Sequence, residues 1–193
     1  MPDSPNKAPR AAALSLEGFP PTVWVSANFA ELWYRDALKE AAGNDGDHST
    51  RREIVFSASF LESYIFEWVR TICFDRLNEY FPPTPRYKND PRFRRTLKDK
   101  WKFVPLDLHN DGILAKAPRL DLSELGALMQ YRNGLVHGSA SRPSTAGLPM
   151  AATPIPNIDE LKRISHGWAL SVAKTLVIEL HAQLGTKPPP YLS

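Results

Sequence analysis

The sequence has one cysteine in 193 residues, Cys73, so no disulfide can form within the chain and none holds the fold together. Cys73 lies among apolar neighbours, where a thiol acts as a packing group more often than as a nucleophile. No apolar run approaches the roughly 20 residues that a membrane span needs. Prolines at positions 2, 5 and 9 interrupt the stretch where a signal peptide would have its apolar centre. Glycine-rich phosphate loops and dinucleotide fingerprints are missing too. These absences lead us to expect a cytoplasmic protein. Strand-like alternation of apolar and polar residues is equally scarce.

Helix-start signals are present in number. Asn28 with Glu31, Thr50 with Glu53, Asp121 with Glu124 and Asn157 with Glu160 each place a capping side chain three residues before an acid. Asp90 followed by Pro91 marks a fifth start, because a proline at the first helical position lacks only a hydrogen that had no partner. The expected fold is an all-α bundle of about five helices, near residues 28–42, 50–80, 91–103, 121–137 and 157–184, with no significant β-sheet. A tail over 1–21, rich in Pro, Ala and Ser, is expected to be disordered; a single domain covers 22–187, and 188–193 trail from it.

The second helix carries an apolar row at Ile54, Ala58, Leu61, Ile65, Trp68 and Ile72, widened by Phe56, Phe60, Tyr64 and Phe66, as in a helix central to a bundle. The last helix has a similar row through Ile158, Leu161, Ile164, Trp168, Val172, Leu176 and Leu180. Segment 138–156 is rich in Gly, Ser, Ala and Pro and reads as a long loop, of the kind that in a compact domain is functional or unstructured.

Charge is mild overall, +3, but unevenly placed. From Arg86 to Lys102, eight Lys or Arg residues stand against Asp90 and Asp99, a local charge of +6 interleaved with Tyr87, Phe93 and Trp101. Arg92, Arg94, Arg95, Lys98, Lys102 and Trp101 are therefore candidates to line a groove for single-stranded RNA, by phosphate contact and base stacking. The alternative is a helix whose aromatics pack inward and whose charges are solvated.

Chemistry concentrates on the fourth helix. Leu125, Met129 and Val136 make its apolar row, and the position that completes the row is Arg132. A guanidinium on a packed face needs an anion, because removing a charge from water costs several kcal/mol otherwise. Asn133 and His137 lie one turn apart on an adjoining face, and Gly138 follows as a helix terminator. Glu62 on the second helix, on a flank with Val55, Ser59, Phe66, Val69 and Cys73, is a candidate partner for Arg132; otherwise it edges a solvated stripe through Ser59 and Ser63. The other histidines offer no metal site: His166 and His181 are fifteen residues apart on the last helix, and His48 and His109 are expected in loops.

The string Arg132-Asn133-Gly134-Leu135-Val136-His137 resembles the signature of the HEPN superfamily, an arginine separated from a histidine by four to six residues. Residues Ser57 to Glu67 resemble that superfamily's earlier core helix. The resemblance implies a helical bundle that pairs as a homodimer around a two-fold axis and cuts RNA without metal or other cofactor. It implies that His137 exchanges a proton with the ribose 2′-hydroxyl or the leaving oxygen, since histidine titrates near pH 6.5. Arg132 would hold the phosphate, Asn133 orient His137 or the substrate, and Glu62 hold Arg132. By analogy alone, such a protein acts as a toxin or defence component with a neutralising, antitoxin-like partner. Some members of the superfamily have lost catalysis and bind RNA, nucleotides or proteins instead.

Overall fold

A computed structural model describes residues 28–43, 45–82, 95–137 and 163–192, with the side chain of His137 outside the described part. Among these residues there are six α-helices and no strand: α1 (Phe29–Ala42), α2 (Asp47–Ile72), α3 (Leu77–Tyr80), α4 (Leu97–Asn110), α5 (Ser123–His137) and α6 (Trp168–Leu184). No helix among them is long and apolar enough to cross a membrane. The expected tail at 1–21, the starts at Pro91 and Asn157, and the loop 138–156 lie outside the described residues.

Asn28 caps α1 as its spacing predicts, its side chain accepting from the Glu31 N–H at 3.0 Å. The helix buries Ala30, Tyr34 and Ala37, a narrow stripe whose small residues let α2 approach closely. The Thr50 start is corrected. α2 begins at Asp47, after Gly46, whose φ of 57° is a left-handed turn that glycine adopts without a Cβ clash. It ends at Ile72 instead of running to 80; Cys73 leaves the helical conformation, and a 3₁₀ turn (Phe74–Arg76) and α3 follow. Arg76 bridges Glu79 and Asp111 there, and the Tyr80 hydroxyl donates to Asp111 at 2.5 Å.

α4 is displaced from the expected 91–103. Thr96 and Asp99 form a reciprocal capping box that fixes its start, and the helix continues through Pro105 to Asn110. Asp121 accepts from the Ser123 N–H at 2.9 Å and so turns the chain into α5 two residues later than its pattern suggests. The last helix is corrected at its start also: 163–167 form turns, and α6 begins at Trp168 after Gly167, with φ of 82°. The last residues do not trail. Pro190–Leu192 form a 3₁₀ turn that buries Leu192 and packs Tyr191 against Tyr34 and Phe60.

α2 is the central helix. Ile54, Phe60, Leu61 and Ile65 are fully buried among Trp101 of α4, Leu125 and Leu128 of α5, and Val177 and Leu180 of α6. Each such side chain stabilises the fold by roughly 1.5–3 kcal/mol. At the outer end of the expected row, Trp68 is only half-buried and Ile72 is exposed.

The buried acid of α2 is Glu53, 1% exposed. Its Oε2 accepts from the Gly167 N–H and its Oε1 from the Leu170 N–H, both at 3.0 Å, so this side chain of α2 caps α6. An anion at a helix N-terminus meets unpaired N–H donors and the positive end of the helix dipole. Truncation of Glu53 to Ala is therefore expected to lower unfolding free energy by about 2 kcal/mol, the upper range for a lost cap, measured by urea denaturation. Glu62→Ala, at an exposed ion pair, is expected to stay within about 0.5 kcal/mol of wild type in the same assay.

A second prediction follows from His181, which is buried beside Tyr64 and held below the ordinary histidine range by desolvation. Protonation then favours the unfolded chain. The contribution is intact above the ordinary histidine pKa of about 6.5 and declines as pH falls through it toward the depressed folded value. The stability advantage of wild type over His181→Gln is expected to shrink between about pH 7 and pH 5, measured by denaturation at each pH; a constant difference would refute it.

Candidate functional site

The last two turns of α5 carry the Arg132, Asn133 and His137 string. Leu125 and Leu128 anchor the helix in the core, with Met129, Tyr131 and Leu135 packed partly against it. This centres the packed side slightly away from the expected row, and Val136 is 47% exposed. Arg132 falls within the packed side and is half-buried, as the pattern suggests. Its Nη1 donates to Asn133 Oδ1 at 3.1 Å. His137 closes the helix.

Tyr131, immediately before Arg132, meets the Trp168 ring edge-on at 5.8 Å between centroids. Trp168 is the first residue of α6, and its Nε1 donates to Glu124 Oε2 at 3.0 Å. The α5 end that bears the motif is thereby tied to the α6 start that Glu53 caps.

Glu62 is not the partner of Arg132. Lys100 Nζ reaches its Oε1 at 2.8 Å, and the Glu62 side chain is 54% exposed. The reason is the neighbouring helix: α4 packs on α2 through Trp101, whose Nε1 donates to the Leu61 carbonyl at 3.3 Å, and this brings Lys100 over Glu62. Among the described residues no carboxylate pairs with Arg132.

The basic segment divides. Arg92 and Arg94 lie outside the described residues, as do Arg86 and Lys88. Arg95 is held by Asp107 at 2.6 Å and lies over the Phe103 ring. Lys98 and Lys102 are exposed, one turn apart on α4; Lys98 sits beside Gly126 of α5, and Lys102 lies over Phe103 at 4.9 Å. Trp101 is corrected: it is 1% exposed and stacks on Tyr64 at 6.1 Å with planes 14° apart, so its ring is core and offers no platform for a base.

Two histidines expected in loops are helical, His48 in the first turn of α2 and His109 in the last turn of α4, while His166 precedes α6 in a turn. Roles that the sequence did not suggest are those of Glu53, expected as a local capping acid, and of the linked Tyr64, His181 and Thr186. Tyr64 Oη stands 2.5 Å from His181 Nε2, and His181 Nδ1 stands 2.7 Å from Thr186 Oγ1. A signal existed for Glu53, which shares a helical row with Ser57, Phe60 and Tyr64, all buried. None existed for the Tyr64 and His181 pair, 117 residues apart in sequence.

Set against protein-family models, curated proteins and solved structures, the chain matches none.

Trp101→Ala is expected to cost roughly 3–5 kcal/mol of stability. Lys98→Ala with Lys102→Ala is expected to leave stability unchanged and to flatten the salt dependence of any RNA binding by up to about two in slope. Denaturation and filter binding across a salt series measure both.

Proposed function

We propose that the chain is a metal-independent endoribonuclease that works as a homodimer, with Arg132, Asn133 and His137 from each copy facing a common cleft. The observation that carries this reading is Arg132: an arginine half-buried on the packed side of α5, bonded to the neutral Asn133 amide, one turn before the helix closes at His137. A guanidinium drawn partly from water beside a neutral amide is suited to an anion, and its planar fork matches two phosphate oxygens.

The residues fit phosphodiester transfer in the following way. His137 takes the proton of a ribose 2′-hydroxyl, the freed oxygen attacks the adjacent phosphorus, and the bond from phosphorus to the 5′-oxygen breaks. A proton goes to that leaving oxygen, giving a 2′,3′-cyclic phosphate and a 5′-hydroxyl end. Arg132 stabilises the charge gathering on the phosphate oxygens, and Asn133 holds the Arg132 side chain in place. Lys98 and Lys102 are the described, exposed cations of the basic segment, and they draw the polyanion toward the bundle.

A second reading is a non-catalytic module of the same fold, binding RNA, a nucleotide or a protein. One observation favours it: Glu62, the acid expected to hold Arg132, is engaged by Lys100.

Cleavage of a mixed RNA in excess EDTA separates the two. Wild type is expected to produce cyclic-phosphate ends, and His137→Ala and Arg132→Ala to lose about 10²- to 10⁴-fold in rate with helicity retained. RNA left intact by wild type at high enzyme concentration, or cut equally by His137→Ala, overturns the nuclease reading in favour of the module.

A further inference from the structure

A cavity of about 740 Å³ lies away from the motif, between α1, the second half of α2, the end of α6 and the C-terminal turn. Clefts of roughly 300–1,000 Å³ with apolar and aromatic walls and a few converging polar groups are the usual form of small-ligand sites. Its walls include Trp68, Tyr191 and the prolines at 188–190, and Tyr64 and His181 reach into it.

The polar groups of this cavity are built with two kinds of partner. At its edge Glu31 holds Arg35 at 2.5 Å, and Glu67 Oε1 accepts the Ala30 N–H at 3.2 Å. Deeper, Tyr64 and His181 line it, and a chain of hydrogen bonds runs from Tyr64 through His181 to the exposed Thr186 behind them, each outer member a hydroxyl. If Thr186 donates to Nδ1, then Nε2 donates to Tyr64 and the phenol proton is left for a ligand. If Tyr64 donates to Nε2, its oxygen retains an accepting lone pair. One side chain can thus meet either a donor or an acceptor, at the cost of a histidine tautomer change.

Desolvation raises the Tyr64 and Tyr191 phenols and lowers His181, so all three stay neutral at pH 7. A formal charge placed against them would lose its water without compensation. The charged lining residues, Glu31, Arg35, Glu67 and Lys187, are exposed or only partly buried, whereas Tyr64 and His181 are buried; neutral ring faces at that depth, with a neutral group that donates or accepts, suit an uncharged planar heteroaromatic ring.

We propose that this cavity is a binding site for a nucleoside or a similarly sized uncharged heteroaromatic molecule, its ring against Trp68 and Tyr191 and its polar edge on Tyr64 Oη. The site is separate from the α5 motif and does not depend on the nuclease reading.

The test titrates adenosine, guanosine, cytidine and uridine into the full chain, followed by intrinsic tryptophan fluorescence and by calorimetry. At least one is expected to bind saturably. Tyr64→Phe, which keeps the ring and removes the hydroxyl, is expected to weaken that binding at least tenfold. Thr186→Val, which removes the hydroxyl that His181 Nδ1 meets, is expected to weaken it several-fold with the fold retained. His137→Ala is expected to bind as wild type does. The proposal fails if none of the four nucleosides binds, or if Tyr64→Phe and Thr186→Val both bind as tightly as wild type. It fails also if binding is lost in His137→Ala and kept in Tyr64→Phe, which would put the nucleoside at the motif.

Discussion

The bundle depends on the carboxylate of Glu53. A buried acid is ordinarily a burden, since its charge loses hydration that the interior does not replace. Here the two oxygens meet the Gly167 and Leu170 N–H groups at the start of α6, donors that no residue within the helix could satisfy. Two costs offset each other at one place. The consequence is positional: the cap fixes where α6 begins, Trp168 follows, and the ring of Trp168 receives Tyr131 of α5. Orientation of the Arg132 turn is thus set by α2 twice, by direct packing of Leu125 and Leu128 in its core and through α6.

The same residue shows what a sequence can and cannot reveal. Fold class was legible, because α2 repeats apolar residues at helical spacing over about five turns and no segment alternates as a strand would. The cap at Asn28 was legible too, being local. Thr50 and Glu53 have that spacing as well, yet Glu53 spends its carboxylate on another helix 114 residues away. Local pattern cannot separate a capping acid from a buried one; only the row that continues from Glu53 through Ser57, Phe60 and Tyr64 distinguishes them. Glu62 gives the converse. Its row includes Val55, Phe66 and Val69, but only Val69 is buried, against Val104 and Leu108 of α4; Phe66 and Glu62 itself are exposed.

Trp101 failed as a stacking platform for a similar reason. Placed in a helix over 91–103, it is one aromatic among charges. In a helix over 97–110 it belongs to the row Leu97, Trp101, Val104 and Leu108, every member buried. Pro105 hides this continuation, because a proline suggests an end where the helix in fact goes on. The electrostatics shift accordingly: Asp107 and Glu62 engage Arg95 and Lys100, so the pull on a polyanion from the described part of the segment comes chiefly from Lys98 and Lys102. Ion pairs at a surface add little stability, yet they remove much of the field a distant phosphate would feel.

Motif and cavity occupy different levels of one scaffold. α2 and α6 run parallel, since Glu53 meets Gly167 while Tyr64 meets His181. The eleven residues from Glu53 to Tyr64 span roughly 16 Å at about 1.5 Å per residue. Between these levels lie Ser57, Phe60 and Leu61 on α2 and Ala173, Leu176 and Val177 on α6, all buried and close-packed. A packed core of this kind transmits a signal only where it has two discrete arrangements, and nothing in this interval supplies a second one: Ser57 Oγ is its one buried hydroxyl without a partner. A molecule seated on Tyr64 would therefore stabilise the bundle by mass action without reorganising the Arg132 turn, and the two sites would act independently.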